Sequence, residues 1–455
     1  MQILESLKSL ESENRRLREE NQALREQLRL LLQQVERSQV KKDSHNSHNP
    51  PSQDKSKPSR RSLRQKSGRK PGGQKGHKGH YLKMSETPDE IIDLKSSYCT
   101  SCGNDLQDAP VDLVSTRQLV ELPPIHPIYK EYRQYNCTCP NCGNSEVADY
   151  PTGVNAPIQY GSSVESYLSY FSVYQYVPYQ RLQHLFLHTF NLPLSEGSIQ
   201  NLLSRSATKA RLVYDYIHEL LSAADYVGGD ETGAKVNGEK WWIWVWQNKL
   251  NTYLHASDNR GSATIEECFP QGFANATMGS DRWAAQLKTA ATNHQLCLAH
   301  LERDIIFLQE SEKNLFSTHF KELLKDALKL RKEAVERQHP FQKGEKIVWR
   351  LEDRLNRLLA RPIVKDQYPE TAKFQRSMIK YRNYLFPFLY DLQIPPDNNG
   401  SERAIRNIKV KQKISGQFKT GQHDFCVLRS IIDTLIKRKL DVFTYLSQIM
   451  TLQTT

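Results

Sequence analysis

Over residues 1–38 the chain repeats one pattern, with apolar or Asn side chains alternately four and three apart: Ile3, Leu7, Leu10, Asn14, Leu17, Asn21, Leu24, Leu28, Leu31 and Val35. A period of 3.5 keeps one narrow helix face apolar along its whole length, so the segment must form a helix whose seam is covered by another helix. Leu10, Leu17, Leu24 and Leu31 share one core position. Asn14 and Asn21 occupy the other, where a buried amide satisfied only by its twin fixes register and strand number. The pattern predicts a parallel coiled coil that joins copies of the chain as a homodimer or higher multimer. The alternative is a helix packed on its own chain.

The seam leads into a segment of opposite character. Residues 39–96 read as a basic flexible linker. Its window 41–80 holds Lys41, Lys42, Lys55, Lys57, Arg60, Arg61, Arg64, Lys66, Arg69, Lys70, Lys75 and Lys78 against Asp43 and Asp54, which accounts for most of the net +12 of the 455-residue chain. Large apolar groups are nearly missing, so this stretch buries too little surface to offset its conformational entropy. Concentrated positive charge suits a polyanion, because each neutralised phosphate releases counterions. The run Gly68–Gln74 has the composition of a minor-groove hook, with Gly and Pro letting the backbone lie close. Arg69, Lys70, Lys75 and Lys78 are its candidate contacts to double-stranded DNA, the alternative being a solvated tail. No apolar run approaches the roughly 20 residues a membrane span needs, so no membrane partner and a cytoplasmic, nucleoid-associated protein are expected.

Residues 97–145 carry Cys99-x-x-Cys102 and Cys139-x-x-Cys142, each followed by Gly. Two such knuckles offer four thiolates to one tetrahedral Zn2+, and a site closed by four thiolates is structural. Cys137 is a fifth candidate, and free buried cysteines are the other reading. Residues 158–223 read as helices. Arg181 to Ser204 suggests helix, Asn-Leu-Pro turn and a Ser195-capped helix, which fits a helix-turn-helix or any small bundle.

After Ala224 the period changes to that of strands. Tyr226–Gly229 lead to Asp230, placed at a strand end. Trp241–Trp246 and Thr252–Ala256 alternate as two more strands, with a hairpin at Asn237-Gly238 and Trp242, Trp244 and Trp246 on one face as core. A helix over Ser262–Cys268 precedes a strand ending at Asp281. Three strands, a helix and a strand is the ribonuclease H-like order. A later helix start, Pro395 to Arg406, carries Glu402, with Asp397 as runner-up. Carboxylates gathered in this way chelate hard cations, and two such ions about 4 Å apart can activate the attacking oxygen and stabilise the leaving one. Mg2+ or Mn2+ is the expected cofactor.

The heptads, Lys70-Pro71-Gly72-Gly73-Gln74 with Gly76-His77, the paired knuckles, Asp230-Glu231-Thr232, Cys297-Leu298-Ala299-His300 and Asp397-Asn398-Asn399 through Glu402-Arg403 occur in an order that resembles the transposases of the insertion sequence 66 family. The resemblance implies that Asp230, Asp281 and Glu402 form a catalytic triad for hydrolysis and strand transfer. It also implies that the Cys297 and His300 unit has a role, and that small accessory proteins of the same element take part. In the family the second aspartate is usually followed by Gly and Tyr; here Arg282 and Trp283 follow. Arg303, Arg403 and Arg406 are candidate phosphate clamps, because guanidinium forks match phosphate oxygens. The whole reads as a multidomain α/β chain: coiled coil, zinc-ribbon-like module, helical DNA-binding region and ribonuclease H-like core. That core is divided as 224–303 and 393–455 around a helical insertion, 304–392. It would bind element ends and target DNA. The reading from another class is a DNA-binding regulator or transposition repressor with an inactive catalytic domain; a sequence-nonspecific nuclease is a third.

Overall fold

The N-terminal heptads form one continuous helix, α1 (Gln2–Gln39). Along the described part of its seam Leu17, Leu24, Leu28 and Leu31 are each about half exposed. Asn21 turns its Nδ2 back to the Leu17 carbonyl at 3.0 Å. The computed structural model describes residues 2–40, 42, 43, 45–47, 76–79 and 81–452. The expected hook at Gly68–Gln74, with Arg69 and Lys70, and also Lys75 lie outside them, while Lys78 is exposed. Among the described residues no helix is long and apolar enough to cross a membrane.

Each cysteine pair builds the same tight turn. Gly103 and Gly143 take φ of 74° and 72°, the left-handed region that glycine enters without steric cost. Their N–H groups donate to the Cys99 and Cys139 carbonyls at 2.8 and 2.9 Å. Strands β1 (Asn136–Thr138) and β2 (Ser145–Val147) pair antiparallel across the second turn, with Cys137 opposite Glu146.

Four helices follow: α2 (Ser162–Ser169), α3 (Tyr179–Phe190), α4 (Glu196–Lys209) and α5 (Arg211–Ser222). Asn191 ends α3 in the left-handed region at φ 50°, and Ser195 Oγ starts α4 by accepting the Ser198 N–H at 3.0 Å. An oxygen acceptor at that position satisfies one of the orphan amides of a helix start. Ile199, Leu202 and Leu203 of α4 face the core. The buried Glu165 carboxylate of α2 ties the bundle together by pairing with Arg205 and, at 2.7 Å, with Lys209 of α4.

The central sheet contains β3 (Tyr226–Val236), β4 (Glu239–Gln247), β5 (Thr252–Ser257), β6 (Phe273–Ser280) and β7 (Ala291–Leu296), in the order β5-β4-β3-β6-β7. The first three strands run antiparallel, and β6 and β7 join parallel to β3. Asn237 and Gly238, at φ 48° and 85°, form the hairpin turn whose twist matches that of its strands. Helices α6 (Ser262–Cys268) and α7 (Ala284–Lys288) flank β6. Trp244 and Trp246 are fully buried and stacked 5.7 Å apart, whereas Trp242 stays partly open beneath Arg260.

Chain order then gives α8 (Leu298–Ser311), α9 (Leu315–Glu336), α10 (Lys346–Leu359), α11 (Pro369–Lys380), α12 (Pro387–Tyr390), α13 (Asn399–Ser415), α14 (Gln422–Lys437) and α15 (Val442–Met450). Helices α8 to α12 enclose a second core around Phe320, Leu355, Phe374 and Met378. Helix α14 covers the edge strand β5: Ser430 Oγ and Thr434 Oγ1 accept the Leu254 and Thr252 N–H groups at 2.8 and 3.1 Å. An edge covered in this way offers no template for pairing with another chain.

Candidate active site

Asp230 does not end its strand. It lies well inside β3, opposite Val245, because β4 keeps pairing as far as Val236. The strand that stops is β6: its pairing with β3 covers only Tyr226, Val227 and Gly228, the last opposite Gly279. Two residues beyond that register, Asp281 leaves the end of β6 beside Asp230. The open flank next to Asp230 is thus created by the shorter neighbour.

Helix α13 delivers the third acid. Its entry is held by Asn398, which is 2% exposed. Asn398 Nδ2 donates to the Gly229 carbonyl at 2.7 Å, its Oδ1 accepts the Ser401 hydroxyl at 2.7 Å, and its backbone N–H reaches Cys297 Sγ at 3.1 Å. Glycine on both sides leaves room for the polar side chains at the crossing. A Cβ on Gly228 would lie 2.8 Å from Asn398 Oδ1, and one on Gly400 2.5 Å from Gln247 Nε2. The first turn of α13 therefore places Glu402 over the sheet beside the two aspartates. Asp397, the alternative third acid, accepts the Asn399 N–H at 3.0 Å and caps the helix entry.

The Cys-x-x-His unit divides its labour. Cys297 is buried where β7 passes into α8, and burial pushes its thiol up to about 12. It stays a neutral acceptor for Asn398. His300 Nε2 and Arg303 Nη2, in the first and second turns of α8, each stand 3.7 Å from Glu402 Oε1. Arg403 and Arg406 are exposed on α13.

The Asp230 carboxyl is raised well above the ordinary aspartate range, first by burial, then by Asp281 and Glu231, with Glu402 adding to the repulsion. The Glu231 N–H, 2.8 Å from Asp230 Oδ1, opposes this in part. A set of hard oxygen donors that repel one another fits the chemistry of a divalent cation. The donors face a shared space without closing on one point: among the described residues no three or more His, Cys, Asp or Glu side chains are gathered to hold a metal ion. The same holds for the four thiols of the knuckles, which stand as two separate pairs. Within each pair the first thiol is lowered, Cys99 chiefly by the Cys102 N–H and Cys139 chiefly by the Cys142 N–H. Lowered thiols are readier thiolate donors.

For several residues at this site the sequence alone does not show what they contact. Asn398 and Gln247 act through contacts between distant segments. Glu231 stands out only as the neighbour of Asp230, yet its side chain is 2% exposed and paired with Arg260 at 2.9 Å. Its carboxyl is raised by burial and by Asp281, against the pull of Arg260.

Comparison with known families gives three matches. A family model described as Transposase IS66 family matches residues 157–423, more than half of the chain. The model of a zinc-finger binding domain of transposase IS66 matches residues 96–143, and a family of unknown function matches residues 5–83. No curated protein matches the chain.

The electrostatics carry a sign that can be measured. Because the folded chain holds the Asp230 proton to higher pH than the unfolded chain does, stability is lost as pH rises from the ordinary aspartate value of about 4 through the raised one. In chelator, Asp230→Asn is expected to raise Tm above wild type by a few degrees, the shift that about 1 kcal/mol produces in a domain of this size. That gap should widen from about pH 4 upward and narrow when Mn2+ is added. An Asn variant no more stable than wild type across this range would contradict the repulsion described.

Proposed function

The chain belongs to the transposase family IS66, and on that premise we propose that it cuts and joins DNA at the ends of an insertion sequence through Asp230, Asp281 and Glu402. The observation that carries this reading is that Asp230, enclosed on β3 at the parallel side of the sheet, has Asp281 and Glu402 near enough for their charges to raise its carboxyl. The strand order β5-β4-β3-β6-β7, antiparallel then parallel, supports a ribonuclease H-like core interrupted by the helices over 304–392. Asp230, Asp281 and Glu402 would hold Mg2+ or Mn2+. When bound, such a cation supplies Lewis-acid stabilisation of the charge that develops on the attacked phosphate.

The chain's own groups do the remaining work. His300 and Arg303 face the Glu402 carboxylate and orient it. Arg303, Arg403 and Arg406 offer guanidinium forks to flanking phosphates. The thiols of Cys99, Cys102, Cys139 and Cys142 would hold one structural Zn2+, a reading supported by their matching turns and by the zinc-finger match. The open seam of α1 pairs with that of a second copy and brings two ends together, while the basic linker and the α3–α4 unit hold the DNA. A DNA-binding regulator remains the second reading, favoured by the open spacing of the acids.

The test is strand cleavage and joining on a supercoiled donor plasmid with Mg2+. Asp281→Ala and Glu402→Ala should each lower cleavage by about three orders of magnitude, roughly 4 kcal/mol of lost transition-state stabilisation, with end binding retained. Cys139→Ser should lose the bound zinc and weaken end binding. Tight end binding by the intact protein with no cleavage, accessory proteins supplied, would favour the regulator.

A further inference from the structure

Asp281 sits on the bend just past Ser280, the last residue of β6 to pair with a neighbouring strand, so something other than the sheet must aim it. Its Oδ1 accepts the Trp283 N–H at 3.0 Å, which ties the direction of the carboxylate to the Trp283 peptide. The Trp283 ring in turn lies 3.9 Å from the guanidinium of Arg260, whose other neighbour is the Trp242 ring at 4.6 Å. Arg260 Nε and Nη2 both donate to Glu231 Oε1, at 3.0 and 2.9 Å, and Gln286 Nε2 on α7 donates to Glu231 Oε2 at 2.7 Å. Glu231 follows Asp230 on β3. These contacts make a closed path from the strand of the first aspartate to the bend that carries the second. On the far side Arg282 pairs with Asp304 of α8 and approaches the Phe374 ring at 5.7 Å, so the bend is anchored at both flanks.

Resting on the metal-site reading above, we propose that Arg260, stacked between Trp242 and Trp283 and paired with Glu231, is a positioning residue that aims Asp281 at the divalent cation. The chemistry calls for arginine. A guanidinium is planar, stacks on indole faces and presents a fork to a carboxylate, whereas an ammonium is a compact, strongly hydrated point charge. The buried Glu231 also needs its partner, because an uncompensated acid between Asp230 and Asp281 would add to their repulsion. Arg260 thereby holds the Trp283 ring in place while balancing the charge of Glu231.

The test is Mn2+ binding to the full-length protein without DNA, read from the loss of the free-ion electron paramagnetic resonance signal. Arg260→Lys and Trp283→Leu should weaken Mn2+ binding by about tenfold, the size of effect typical of groups that orient a metal ligand. Trp283→Phe, which keeps a ring face for Arg260, should stay within about threefold of wild type. End-DNA affinity in chelator should be the same for all of them. Arg260→Lys keeps the charge beside Glu231 and so carries the test if Arg260→Ala does not fold. Asp281→Ala separates the two claims. If it abolishes Mn2+ binding while Arg260→Lys and Trp283→Leu bind as wild type, the positioning role is wrong and the metal site stands. If wild type binds no Mn2+, or Asp281→Ala binds as well as wild type, the metal-site reading falls and this inference with it. A Trp283→Phe defect as large as that of Trp283→Leu would also overturn the stacking argument.

Discussion

Where α13 crosses β3, the side chain of Asn398 donates to the Gly229 carbonyl and accepts the Ser401 hydroxyl, while its main-chain N–H points at Cys297. This one buried amide joins the strand that bears Asp230, the helix that bears Glu402 and the start of the helix that bears His300 and Arg303. A polar group buried without a partner costs about 1–3 kcal/mol, so any slippage of α13 along the sheet breaks several such bonds together. Gly228 and Gly400 leave room for the Gln247, Asn398 and Ser401 side chains at the crossing, and a larger residue at either position would push these polar side chains out of place.

What the crossing assembles is unfavourable by itself. Burial and the neighbouring acids hold the Asp230 carboxyl well above its usual range, and Glu231 is likewise raised. Local strain of this kind persists only where the surrounding structure over-determines it. Here the surroundings are the stacked Trp244 and Trp246, the edge of β5 covered by Ser430 and Thr434, and the second core around Phe320 and Phe374. The anchors at Arg260 and Arg282 extend the same logic to the bend that holds Asp281. Together these contacts fix the elements that carry the acids.

Much of the frame is legible in the sequence because its signals are local. The heptads of α1, the cap at Ser195, the Asn237-Gly238 turn and the alternation of β4 and β5 each depend on residues close in the chain, as do the two knuckle turns. The misplacement of Asp230 at a strand end has a physical origin. A catalytic acid is accessible at a strand terminus, yet here access arises because β6 stops beside a longer β3, and the lengths of paired strands are a tertiary property. Asn398 reads as part of a motif, but its bond to Gly229 joins positions 169 residues apart. Glu231, Arg260 and Trp283 lie in three separate segments, and nothing in their spacing shows that they stack. Cys297 and His300 read only as a unit with some role, and burial reveals a neutral thiol that serves Asn398.

The most direct test of the account is a crystal structure of the full-length protein soaked in Mn2+, with the ion located by its anomalous scattering. The account predicts a peak bound by carboxylate oxygens of Asp230 and Asp281 at the usual distances of about 2.0–2.3 Å, with Glu402 turned toward it from the fixed start of α13. No peak between the two aspartates at saturating Mn2+, or one bound without either of them, would contradict the claim that the Asn398 crossing exists to assemble a metal-dependent site.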